Sequence, residues 1–114
     1  MYASFDYYSK YYDSVTAEEF EKLAHIASTK LDVLTARRAS KATGYKAEAI
    51  KDACCALVNV IKQQQEAATH KGLSSVSNDG YSEHYSHLSP EQEEEQLRTE
   101  AFKWLSGTGL MGAL

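Results

Sequence analysis

The chain has 114 residues and a net charge of −4, a length that makes one domain. Ten Leu, five Val, three Ile and three Phe come to 21 residues, a thin supply for a self-sufficient core, although eight Tyr and one Trp add apolar area. No uncharged stretch approaches the ~20 apolar residues of a membrane span, no basic residue precedes an apolar run at the N-terminus, and the adjacent Cys54 and Cys55 fit neither a disulfide framework nor metal-site spacing, so the expectation is a soluble intracellular chain with reduced thiols whose small core is completed by partners.

The opening segment, residues 1–12, holds five of the eight tyrosines. Phe5, Tyr8 and Tyr12 fall at i, i+3, i+7, which predicts a short helix packed on the main body by an aromatic face. Thr16-Ala-Glu-Glu19 has the form of a capping box and predicts the start of a long helix. Phe20, Leu23, Ala24, Ala27, Leu31 and Leu34 draw its apolar stripe, and the helix is expected to run over 16–39. His25 lies beside that stripe and reads as a solvated or locally hydrogen-bonded side chain.

Ala42-Thr43-Gly44 breaks the pattern. A second long helix is expected over 45–69, with Ile50, Cys54, Leu57, Val58 and Ile61 as its stripe, and the short break makes the pair an antiparallel hairpin. Cys54 on the stripe reads as a small hydrophobe and not as a nucleophile, for which no base is evident. After Gly72, small polar and larger residues alternate around Asn78-Asp79-Gly80, which predicts an extended β-hairpin-like arm over 73–87 that rests on the helices or on another chain. Glu83, His84 and His87 in that arm lack the second cluster that a metal site needs.

Ser89-Pro90-Glu91-Gln92 is a second capping box with proline at the first helical position. A last helix follows over 89–105, with Glu91, Glu93, Glu94 and Glu95 where the helix dipole favours acids and Leu97, Ala101, Trp104 and Leu105 as its apolar face. Gly107 fits the position just past a helix C-cap. The remaining Thr108-Gly109-Leu110-Met111-Gly112-Ala113-Leu114 reads as a flexible docking tail, residues 106–114, with exposed Leu110, Met111 and Leu114. It follows a helix and has no lysine after its glycines, so it is not a phosphate loop. The fold class expected is mainly α: a small helical bundle of short N-terminal helix, long helical hairpin and C-terminal helix, with the arm between the last two helices.

Charge is distributed in blocks. Residues 1–29 carry five acids and two bases (−3), residues 30–51 six bases and two acids (+4), residues 52–71 balance, and residues 72–114 carry seven acids and two bases (−5). A basic middle and acidic ends can meet within one subunit or between neighbours. The basic block lacks the aromatic interleaving of a nucleic-acid surface.

The order of these pieces resembles a known family. The tyrosine-rich N-terminal helix, the segments Ala27-Ser-Thr-Lys30-Leu31-Asp32-Val33-Leu34-Thr35 and Ile50-Lys-Asp-Ala-Cys54-Cys55-Ala-Leu57, the Ser75-Val76-Ser77-Asn78-Asp79-Gly80-Tyr81-Ser82 arm and the Trp104-Leu-Ser-Gly-Thr-Gly-Leu110 ending together resemble the head-tail connector (head-completion adaptor) proteins of long-tailed bacteriophages and prophages. The resemblance implies a virion protein without catalytic residues or cofactors. It implies a homo-oligomeric ring, commonly dodecameric, assembled from the host cytoplasm onto the portal protein and meeting a stopper or tail-side connector protein. Genomic DNA would pass through its channel without specific binding, and no membrane is involved. Subunit and portal contacts would fall to Val76, Asn78, Asp79, Gly80, Tyr81 and Tyr85 in the arm and to Trp104, Gly107, Gly109, Leu110, Met111 and Leu114 at the end. Glu91, Glu93, Glu94 and Glu95 are expected near the channel, where a basic lining would grip phosphate and resist passage. Family members often continue Gly-Leu-Leu-Tyr-Arg-Gly where this chain has Gly109-Leu110-Met111-Gly112. An alternative is a small helical adaptor or regulatory module that binds a partner helix in the groove of its hairpin.

Overall fold

The structure, a computed structural model, describes residues 1–77 and 89–111. It is built from four helices, α1 (Phe5–Ser9), α2 (Ala17–Leu34), α3 (Tyr45–Ser77) and α4 (Pro90–Leu105), with a 3₁₀ turn at Arg38–Lys41 between α2 and α3. The described residues contain no strand. Both capping boxes form: Thr16 Oγ1 accepts from the Glu19 amide at 3.2 Å while Glu19 accepts from the Thr16 amide at 3.1 Å, and Ser89 and Gln92 exchange the same pair of bonds. Each satisfies two amides that a helix start would otherwise leave without partners.

α2 and α3 are antiparallel. Lys62 reaches Glu19 at 2.5 Å near one end and Ser28 Oγ lies 3.8 Å from Cys54 Sγ further along. α4 returns along α3, with Gln64 Nε2 donating to the Glu93 carbonyl and to Gln96 at its start. The expected stripes of α2 and α3 are buried, apart from Leu34, which is half-buried, and Ala53, Cys55 and Val60 join them. Leu97, Ala101 and Leu105 of α4 close the same core. At ~1.5 Å per residue the 33 residues of α3 span about 50 Å, matching the molecule's longest dimension of 49 Å, so the last turns of α3 run past the ends of α2 and α4.

Four sequence expectations are corrected. α2 ends at Leu34 and not near Ala39, because the buried Thr35 hydroxyl donates back to the Leu31 carbonyl at 2.7 Å and accepts the Ala39 amide at 3.0 Å, a side-chain bonding pattern that competes with helix continuation. The N-terminal helix covers only Phe5–Ser9, capped by Ser4. α3 does not stop at 69 but continues to Ser77, so residues 73–77 of the expected β-hairpin-like arm, Val76 included, are helical; residues 78–87 of that arm lie outside the described residues. Finally, Leu110 and Met111 are buried and not exposed.

Candidate interaction surface

The N-terminal segment is fixed to the bundle by its aromatic residues. Phe5 and Tyr8 stack at 6.2 Å, Tyr8 and Tyr12 lie 5.2 Å apart, and Tyr8 meets Phe20 of α2 at 5.1 Å, ring separations at which aromatic pairs add stability beyond their buried area. Three phenols make the attachment specific: Tyr2 donates to Asp32, Tyr7 to Asp52 at 2.5 Å and Tyr8 to Asn59 at 2.5 Å. Burial, reinforced by Asp32, pushes the Tyr2 phenol up to about 12. The bond to Asp52, with burial, raises Tyr7 further. The i, i+3, i+7 rule found Phe5, Tyr8 and Tyr12 but missed Tyr2 and Tyr7, whose partners lie on α2 and α3.

Beneath this segment sit the two thiols. Cys54 and Cys55 are both buried and free. Burial raises Cys54, while burial and then the neighbouring Cys54 push Cys55 up to about 12, the opposite of what an attacking thiolate requires.

The Ser106–Met111 ending is a folded element. Gly107 (φ 86°) and Gly109 (φ 77°) adopt left-handed backbone, which side-chain-bearing residues populate only at a cost. Between them the buried Thr108 hydroxyl donates to the Leu105 carbonyl at 2.6 Å and accepts the Leu110 amide at 3.1 Å. The chain is thereby turned back so that Leu110 and Met111 enter the core, and Arg38 Nε donates to the Leu110 carbonyl at 3.1 Å. Trp104, expected on the apolar face of α4, is 39% exposed, with its indole N–H donating to Glu100 at 3.2 Å. Leu114 and the arm residues Asn78, Asp79, Gly80, Tyr81 and Tyr85 lie outside the described residues, as do Glu83, His84 and His87.

Glu91, Glu94 and Glu95 are exposed and Glu93 is half-buried on the first turns of α4. Glu94 pairs with Lys30 of α2. Among the described residues this is the only ion pair joining the basic block 30–51 to the acidic C-terminal block. Four other bases of that block gather where α2 turns into α3: Arg37, Arg38 and Lys41 are exposed and Lys46 is half-buried, while Lys51 pairs with Glu48 and lies over the Tyr7 ring. Beside the four stand Val33, 72% exposed, and Tyr45, 68% exposed. The +4 block 30–51 was legible in the sequence; the exposure of Val33 and Tyr45 beside its bases was not.

No protein-family model, curated protein or solved structure matches the chain. No group of three or more His, Cys, Asp or Glu among the described residues is placed to hold a metal ion, and no helix of the described residues is long and apolar enough to cross a membrane. The face of the α2–α3 hairpin is covered by α4, and Phe5 and Tyr8 pack on Phe20. Among the described residues, surface groups available for contact include the basic corner, the acidic helix starts, Trp104 with Phe102, and the exposed Tyr11 and Ile26.

Proposed function

We propose that this chain is a structural ring subunit at the phage head-tail interface, docked on the portal and extending the DNA channel. The observation that carries the reading is the Trp104–Leu110 ending. Together with the Asn78-Asp79-Gly80-Tyr81 arm it makes the specific part of the resemblance to head-tail connectors, and it folds as a built element around Gly107 and Gly109 instead of trailing from α4. A mainly helical subunit with block-wise charge supports the same reading, because surfaces completed by neighbours favour complementary patches. In this arrangement Glu91, Glu93, Glu94 and Glu95 lie near the channel at the joint between neighbours. Trp104, Gly107 and Gly109 belong to the portal-facing end, and Leu110 and Met111 hold that end to the core.

Light scattering of the chain alone and mixed with a portal protein of a long-tailed phage tests the proposal. A discrete complex of ring mass on the portal is the expected result. A chain that stays monomeric and fails to bind portal would overturn it.

A further inference from the structure

We propose that the corner where α2 turns into α3, centred on Arg37, Lys41 and Tyr45, is a docking surface for the acidic starts of α2 and α4 of a second copy of this chain, so that subunits associate head to tail. The inference rests on the ring reading only in taking the occupant to be another copy; the surfaces themselves come from the charge and exposure of this structure.

The two patches occupy opposite ends of the bundle. Contacts of Lys62 with Glu19 and of Gln64 with Glu93 place the starts of α2 and α4 beside the same stretch of α3. The bond from Arg38 to Leu110 places the basic corner beside the end of α4. Along α4 the acids at Glu91 to Glu95 stand about 15–21 Å from Leu105 at its end, roughly twice the ~8 Å Debye length of physiological salt. Within one subunit the described bases that meet the acidic starts are Lys30, which pairs with Glu94, and Lys62, which pairs with Glu19. Arg37, Lys41, Glu18, Glu21, Glu91 and Glu95 make no ion pair with any described residue.

The corner also has the make-up of an interface centre. Surface ion pairs alone contribute little, but Tyr45 and Val33 stand exposed among the bases, and exposed Tyr and Arg are the residues that most often anchor protein contacts. Its backbone is strained: Ala36 (φ 52°) and Arg37 (φ 67°) are consecutive non-glycine residues in left-handed conformation, which a Cβ disfavours, and they are held by the Arg37 amide donating to the Asp32 carbonyl at 2.7 Å. A duplex nucleic acid fits less well, since the chain as a whole carries −4 and repels a polyanion at long range. Two different patches in contact give a heterologous interface, which closes into a ring or continues as a filament.

Sedimentation velocity of the full chain over a range of concentrations, at about 0.01 M and about 1 M salt, where the Debye length falls from ~30 to ~3 Å, reads the association directly. The expected result is concentration-dependent association at low salt that disappears at high salt. The double variants Arg37→Glu with Lys41→Glu, and Glu91→Lys with Glu95→Lys, should each associate about tenfold or more weakly. Mixing them in equal amounts should restore association, because the reversed patches complement each other. Tyr45→Ser, at an exposed position that does not threaten folding, should weaken association as well. A wild type that is monomeric at every concentration in low salt, variants that associate like wild type, or a mixture that fails to recover each overturns the inference. So does loss of a duplex DNA probe from the Arg37→Glu, Lys41→Glu variant with self-association unchanged. Because no portal protein is present, failure here leaves portal binding standing, and failure of portal binding leaves recovery by the mixture standing.

Discussion

Left-handed backbone appears in two turns at the same end of this bundle, in opposite chemical settings. At Ala36 and Arg37 it is adopted by residues that pay for a Cβ, whereas at Gly107 and Gly109 it falls on glycine, with nothing within 4 Å of an added Cβ at either glycine. Substitutions at the two places should therefore move stability in opposite directions. Ala36→Gly relieves a left-handed alanine worth roughly 1–2 kcal/mol but loosens the unfolded chain, for a net gain of about 0.5–1 kcal/mol. Gly107→Ala or Gly109→Ala imposes the strain and should cost about 1–2 kcal/mol. Urea unfolding with an unchanged slope checks both, and a loss of stability in Ala36→Gly would show that the corner is not strained.

At the scale of elements, two short segments hold the bundle's ends. The N-terminal segment is tied by phenols that must stay protonated to donate. The folded-state pKa of Tyr2 is raised from 10.0 to about 12 and that of Tyr7 is raised too, so their contribution is fully present below pH 10 and is lost as pH rises through the folded values. Alkaline titration followed by circular dichroism should show the segment releasing between about pH 10 and 12, and Tyr2→Phe should flatten that decline. The C-terminal ending contributes Leu110 and Met111 to the core. Truncation after Ser106 should destabilise the fold by about 3–6 kcal/mol, from ~1.5–3 kcal/mol per buried side chain. Thermal unfolding measures it, and an unshifted midpoint would mean the ending is only a docking tail.

These two elements also mark where sequence reasoning reached its limit. The stripes of α2 and α3 were legible because 3.6-residue periodicity and capping boxes are local signals. Thr35 stopping α2 was not, since a threonine hydroxyl bonding backward is a matter of conformation and not of composition. Leu73-Ser-Ser-Val76-Ser alternates like a strand, yet extending a formed helix adds a backbone bond for each residue fixed, and α3 runs on through Gly72 to Ser77. The Gly-rich ending has no period at all; its burial is decided by Thr108 and by space left between the corner and α4. Of the candidate site, the acidic turns were legible as a run of glutamates and the bases as the +4 block 30–51, while the exposure of Val33 and Tyr45 among those bases is set by the fold.

For the whole molecule, an elongated body of 49 × 32 × 18 Å with a basic corner at one end and acidic helix starts at the other behaves as an electric dipole in solution. Association rates should accordingly fall as salt is raised, while the folded stability of the isolated chain, which rests on the apolar core, changes little; stopped-flow mixing of the two charge-swapped variants separates these effects. The Tyr2 amide donates to Ser28 Oγ at 3.1 Å, and that oxygen sits against the Cys54 thiol. Lifting the first few residues thus uncovers a thiol without melting a helix. Native-state alkylation of Cys54 becomes a clock for that opening, and its slowing when a neighbour or portal binds would report, from inside one subunit, that the ring has closed around it.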